Sequence, residues 1–136
     1  MSKINYFEFS DAWVFMALSN YELEWKKIEL TNIIARGDML NHAIFTLEEL
    51  SNGFQKLQVK GLIKIKEDQI ALSNLGLGIM KKVVDSKSGL FTMVDYALKR
   101  INTEKIYIEN ISGNLISSCE FLTENNLSKA YKIYSK

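Results

Sequence analysis

The side chains able to carry covalent or proton-transfer chemistry are scarce in this chain of 136 residues, which holds one histidine, His42, and one cysteine, Cys119. A histidine-based triad or a multi-histidine metal centre cannot be assembled within one subunit from a single imidazole. Pairing Cys119 with His42 would require two distant segments to meet, and nothing beside Cys119 in sequence would lower a thiol pKa; a buried, inert cysteine is the simpler expectation. His42 follows a helical pattern and precedes Ala43 and Ile44, a setting that suits hydrogen bonding to a helix end. Asp38 and Asn41 stand near the same end and could meet a small ligand, although helix-end bonding accounts for them. The Gly76-Leu77-Gly78 run lacks the third glycine of a dinucleotide fingerprint, and no GxxxxGK[ST] loop is present. The sequence therefore predicts no enzyme, no metal site and no cofactor.

What remains is binding. With 47% hydrophobic and 24% charged residues, the chain has the make-up of one globular domain with a real core. Its 17 basic and 16 acidic side chains give a net charge of +1, so the molecule as a whole has no electrostatic footprint for nucleic acid, and any such affinity must come from local placement. A lone cysteine and the absence of a charged-then-apolar leader predict a reducing, cytoplasmic setting. No apolar run approaches the roughly 18 to 20 residues of a membrane span, so no membrane partner is expected. Proline is absent, which leaves Gly, Ser, Asn and capping patterns to mark the boundaries.

The elements that must position any site follow from periodicity. Residues 10–20 read as a first helix with Ser10 as N-cap and Asp11 at the positive end of the dipole; Trp13 to Leu18 is apolar on every face, as a central core helix would be. Leu30, Ile33, Ile34 and Gly37 repeat at helical spacing within residues 28–41, and Gly37 on that stripe predicts close approach of a neighbouring helix. After an extended His42 to Phe45, Thr46 and Glu49 form a capping box for a third helix. Leu47, Leu50, Phe54 and Leu57 are its buried stripe, with Glu48, Glu49, Asn52, Gln55, Lys56 and Val59 turned outward. Gly61 is its left-handed stop. Two short alternating segments about Glu67-Asp68-Gln69 predict a hairpin, and Ser73 and Asn74 can cap a fourth helix. A strongly periodic helix from Ser88 carries Leu90, Met93, Val94, Ala97, Leu98 and Ile101. Residues 105–122 fit either a hairpin or a strand followed by a helix. Thr123 caps a terminal helix with Leu127, Ala130, Tyr131 and Tyr134 inward.

The order helix, helix, turn, helix, hairpin resembles the winged helix-turn-helix superfamily. The match runs over Leu50, Phe54, Leu57, Lys60-Gly61-Leu62-Ile63, the hairpin, Ile70, Leu72-Ser73 and Gly76, within roughly residues 10–84. The fold class it implies is mainly α with a small β-hairpin wing: a winged helix-turn-helix core over 1–84 and a C-terminal helical extension over 85–136 that packs on it. By this resemblance Leu47 to Lys60 would be a recognition helix in a major groove, and residues 64–69 a wing beside the backbone. Asn52 and Gln55 are then the base-reading candidates, because a carboxamide offers adenine a paired donor and acceptor. Lys56, Lys60, Lys64, Lys66, Arg36, Lys26 and Lys27 are the phosphate candidates.

Two features oppose duplex binding by a single copy. Glu48 and Glu49 occupy the first turn of the proposed recognition helix, and Glu67-Asp68 takes the wing tip, where positive charge is favoured. Binding should therefore need a second copy, and Leu90, Phe91, Val94, Tyr96, Leu98, Tyr131 and Tyr134 are the candidates for a homodimer interface; packing on their own first helix is the competing expectation. The expected function is that of a small dimeric transcriptional regulator binding double-stranded DNA. The alternative is a winged helix used as a protein-interaction or assembly module. A pocket involving Trp13 and Trp25 would make the protein a ligand sensor, and no effector is indicated.

Overall fold

The computed structural model describes residues 7–19, 21, 25–86, 89–103 and 122–135. They form a mainly helical structure with a small three-stranded antiparallel sheet: α1 (Phe9–Ala17), β1 (Lys26–Lys27), α2 (Leu30–Asn41), α3 (Leu47–Val59), β2 (Ile63–Lys66), β3 (Gln69–Leu72), α4 (Asn74–Asp85), α5 (Leu90–Thr103) and α6 (Glu124–Tyr134). None of these helices is long and apolar enough to cross a membrane.

The all-round apolar character of α1 is satisfied by encasement, with α3, α5 and α2 packed about it. Its cap falls two residues earlier than expected. Glu8 is the N-cap and its backbone N–H donates to the Asp11 carboxylate at 2.8 Å, which places Ser10 inside the first turn. The short acidic side chain at the third helical position reaches back to the cap, and this sets the start.

In α2, Ile33, Ile34 and Gly37 are buried as the periodicity requires, but the neighbour that needs Gly37 is a loop residue rather than a helix. A Cβ at Gly37 would lie 2.3 Å from the ring of Phe45. That ring stacks at a tilt on Trp13, with centroids 4.0 Å apart, and the Trp13 indole N–H donates to the Gly37 carbonyl at 2.9 Å. Both tryptophan and phenylalanine thus use the bare backbone at one point. His42 ends α2 in the left-handed conformation, with φ 54° and its N–H on the Asp38 carbonyl, so the connection opens on a helix stop rather than an extended residue.

The capping box of α3 is reciprocal: Glu49 N–H donates to Thr46 Oγ1 at 3.1 Å, and Thr46 N–H to Glu49 Oε1 at 2.9 Å. Gly61, at φ 76°, turns the chain into β2. The hairpin pairs Ile63 with Leu72 and Lys66 with Gln69, leaving Glu67 and Asp68 as the two-residue turn. β1 was not readable in sequence, since two residues show no period. It pairs Lys26 with Ile70 and Lys27 with Gln69, giving the strand order β1-β3-β2. Backbone bonds extend that edge: Ile28 N–H reaches the Asp68 carbonyl, and Leu72 N–H the Tyr21 carbonyl.

Ser73 caps α4 by accepting from Gly76 N–H at 3.0 Å, while its hydroxyl donates to the Gly61 carbonyl. Of the α5 stripe, Val94, Ala97 and Ile101 are buried and Met93 and Leu98 partly so, and the helix packs on α1, α4 and α2. α6 packs on α2 through Leu127 and Ala130. Tyr131, expected inward, is 44% exposed: it lies about 100° around the helix from buried Ala130. Ser88, residues 105–121 with Cys119, and the side chains of Leu90 and Phe91 lie outside the described part of the molecule.

Two neighbouring glycines in α4 make opposite predictions. A Cβ at Gly76 would stand 2.1 Å from the Leu62 carbonyl oxygen, a backbone atom that no rotamer change can move, whereas Gly78 has nothing within 4 Å. In urea unfolding, Gly76→Ala is expected to cost about 1–3 kcal/mol, as overpacking does, and Gly78→Ala to gain about 0.5–1 kcal/mol from helix propensity. Equal effects at the two positions would contradict this packing.

Candidate nucleic-acid interface

α3 is held against α1 by Leu50, Phe54 and Leu57, and by Gly53, where a Cβ would come within 2.9 Å of Val14. Such close seating fixes which side of α3 faces water. Asn52 and Gln55, three residues apart and therefore on one face, are both exposed, together with Glu48 and Ser51. The outward face of α3 is an amide and hydroxyl surface with one acid in its first turn.

The lysines of α3 do not belong to that surface. Lys56, placed outward by periodicity, turns toward α1 and donates to Asp11 Oδ2 at 2.8 Å; Asp11 is 1% exposed and the Lys56 side chain 23%. The long aliphatic stem lets a residue at the edge of the stripe carry its charge inward. A carboxylate removed from water requires a counter-charge, and the pairing is enforced from the Asp11 side. Lys60 is buried at 7% exposure as the C-cap of α3. Arg36 is half-buried and donates to Ser19 Oγ at 3.0 Å. These three phosphate candidates are thus occupied in holding or filling the fold.

The other four phosphate candidates, Lys26, Lys27, Lys64 and Lys66, lie on the sheet. In β2, Ile63 and Ile65 face the core while Lys64 and Lys66 face out. Register then aligns exposed Lys27, Gln69 and Lys66 in one row across the three strands. Directly paired residues share a face, so Lys26, paired with Ile70, falls in the row of the inward-facing residues although it is exposed at the edge. Trp25, one position before β1, continues the outward row beside Ala71 and is 43% exposed. Lys64 Nζ lies 5.7 Å from the centre of its ring, within reach of a cation–π attraction. Glu67 and Asp68 stand at the turn that bounds this face.

Of the dimer candidates, Val94 is in the core and Leu98 and Tyr96 are partly buried against it. Tyr134 is also engaged: its hydroxyl donates to Asp38 Oδ2 at 2.5 Å, and that bond raises the phenol pKa. Asp38 thereby serves the α2–α6 contact rather than a ligand. Tyr131 remains exposed, next to Ile133 at 62%. Trp13 is buried and stacked and Trp25 stands on the sheet, so the two indoles line no common pocket. A shallow groove of about 250 Å³ lies instead between α2 and α6, lined by Ile28, Leu30, Thr31, Asn126, Lys129, Ala130 and Ile133. Among the described residues no group of three His, Cys, Asp or Glu could hold a metal ion. Tyr21, whose hydroxyl accepts from Glu29 N–H at 3.1 Å, has its pKa raised chiefly by burial and orients the approach to α2.

Two participants escaped sequence reasoning. Asp11 looked like a dipole partner, and the 45 residues between it and Lys56 carry no local signal of their pairing. Trp25 lay in a connection without period, and its role depends on a strand only two residues long. No protein-family model, curated protein or solved structure matches the chain.

Lys56→Ala leaves Asp11 buried without its counter-charge, with the Glu8 N–H bond to it among the described residues. It is expected to cost about 2–3 kcal/mol in denaturant unfolding. Glu48→Ala, at an exposed site, should change stability by less than about 0.5 kcal/mol. Loss of nucleic-acid affinity without loss of stability in Lys56→Ala would show instead that Lys56 serves as a phosphate ligand.

Proposed function

We propose that this chain is a winged-helix protein that binds double-stranded DNA as a small transcriptional regulator of the cytoplasm. The observation that carries the reading is the placement of exposed Asn52 and Gln55 on α3, in a chain ordered α1-β1-α2-α3-β2-β3 whose sheet bears outward lysines. In this reading α3 enters the major groove, its carboxamides meet base edges, and Lys64 and Lys66 contact phosphates. The duplex contact is modest in charge, since Lys56, Lys60 and Arg36 are engaged elsewhere. A second copy would double it, and exposed Tyr131 and Ile133 on α6 are the apolar residues that support such pairing.

The same withdrawal of Lys56 and Lys60, with acids at the wing tip and in the first turn of α3, favours a second reading as a protein-assembly module. Of the basic residues considered for phosphate contact, Lys56, Lys60 and Arg36 are engaged in the fold, and Lys26, Lys27, Lys64 and Lys66 lie exposed on the sheet.

Fluorescence anisotropy with random duplex and genomic upstream fragments, at two salt concentrations, separates the readings. Salt-sensitive binding that favours some fragments is expected for the regulator, and no binding at low salt would leave the assembly module. Gln55→Ala should reduce discrimination among fragments, whereas Lys64→Ala should weaken all of them alike; equal uniform losses from both would remove the base-reading role. In sedimentation velocity, Ile133→Glu should convert a dimer to monomer, and a monomeric parent chain would remove the pairing.

A further inference from the structure

We propose that the outer face of the sheet, formed by Trp25, Lys27, Lys64, Lys66 and Gln69, is a binding surface for single-stranded nucleic acid. The inference does not rest on duplex reading by α3, although Lys64 and Lys66 are the phosphate contacts of that reading as well. It begins with an indole that the fold leaves 43% exposed although the interior takes the other tryptophan at 3%. Ala71, the β3 residue that shares this outward face, is itself fully buried, so small side-chain volume at the centre of the sheet lets larger neighbours close over it. Lys64, paired across from Ala71, reaches the Trp25 ring from the far strand. A cation is therefore held beside an exposed aromatic surface.

The chemistry of the occupant follows from that combination. Among the described residues, Lys27, Lys64 and Lys66 present three positive charges on the outward face of the strands, and Glu67 and Asp68 stand at the turn. The charge complement is a polyanion. Lys64 and Lys66, two residues apart on one strand, are separated by about 6.6 Å along it, a spacing suited to successive phosphates of an extended strand. A duplex hides the faces of its bases within the stack, whereas an unpaired base offers a free π-face to an indole. Trp25 stacking on a base, with the lysines on flanking phosphates, satisfies the whole surface. Gln69, exposed between Lys27 and Lys66, can donate to a sugar or phosphate oxygen.

The test uses the full chain with a labelled 20-nucleotide oligothymidine and a labelled 20-base-pair duplex, in low-salt fluorescence anisotropy. Oligothymidine is expected to bind and to quench tryptophan emission. Trp25→Ala should weaken that binding about tenfold or more. Trp25→Phe, which keeps a ring, should retain most of it, and circular dichroism should show both variants folded. Duplex affinity should be nearly unchanged by Trp25→Ala and reduced by Asn52→Ala with Gln55→Ala, so failure of either surface is seen without the other. The proposal is overturned if oligothymidine does not bind, if folded Trp25→Ala binds it as the parent does, or if Trp25→Ala weakens single strand and duplex equally. Binding to vesicles containing phosphatidylserine that competes fully with oligothymidine and survives Trp25→Ala would likewise overturn it, identifying a general anion surface.

Discussion

Ala12 through Leu18 are each no more than 3% exposed, and a helix with no face for water has to be enclosed on all sides before the chain can fold. At about 1.5–3 kcal/mol for each large apolar side chain buried, α1 supplies the main attraction around which α2, α3 and α5 assemble. The same enclosure takes Asp11 out of water at the helix start. A lone carboxylate there would be costly, and Lys56 from α3 neutralises it. The core helix thus dictates the use of a charge on the helix most exposed to function.

This competition for lysines shapes the surface. The pair at Asp11 and the burial of Lys60 reduce the positive charge along α3, and what remains exposed there is Glu48, Ser51, Asn52 and Gln55. On the sheet the opposite holds. Alternation in β2 sends Ile63 and Ile65 inward and Lys64 and Lys66 outward, so packing the hairpin on the core necessarily displays cations. Exposed amides thus stand on α3 and exposed ammonium groups on the outer face of the sheet.

Glycines are the points where this compact arrangement is least tolerant of change. Gly37 admits the Phe45 ring, Gly53 brings α3 onto Val14, and Gly76 passes against the Leu62 carbonyl. Each sits where two segments approach to backbone distance. The loop ring at Gly37 also supports Trp13, so the α2–α3 connection is built into the core rather than laid over it.

By itself the sequence determined the helical segments and the caps of α3, α4 and α6, because periodicity, the Thr46–Glu49 box, Ser73, Thr123 and the left-handed Gly61 are local and act within a few residues, whereas the start of α1 fell at Glu8 and not at Ser10. It determined the hairpin as well, through alternation about Glu67-Asp68-Gln69, of which Gln69 belongs to β3. Tertiary structure decided the rest. β1 exists only because β3 pairs with it, Gly37 answers to a ring eight positions away, and Tyr131 is exposed although its neighbour Ala130 is buried. Above all, the fates of Lys56, Lys60 and Lys64 differ although all three look alike in sequence. One neutralises a carboxylate 45 residues distant, one is buried at a helix end and one rests over an indole across a strand. Charge placement depends on what lies opposite in space, and that information is carried by the fold as a whole.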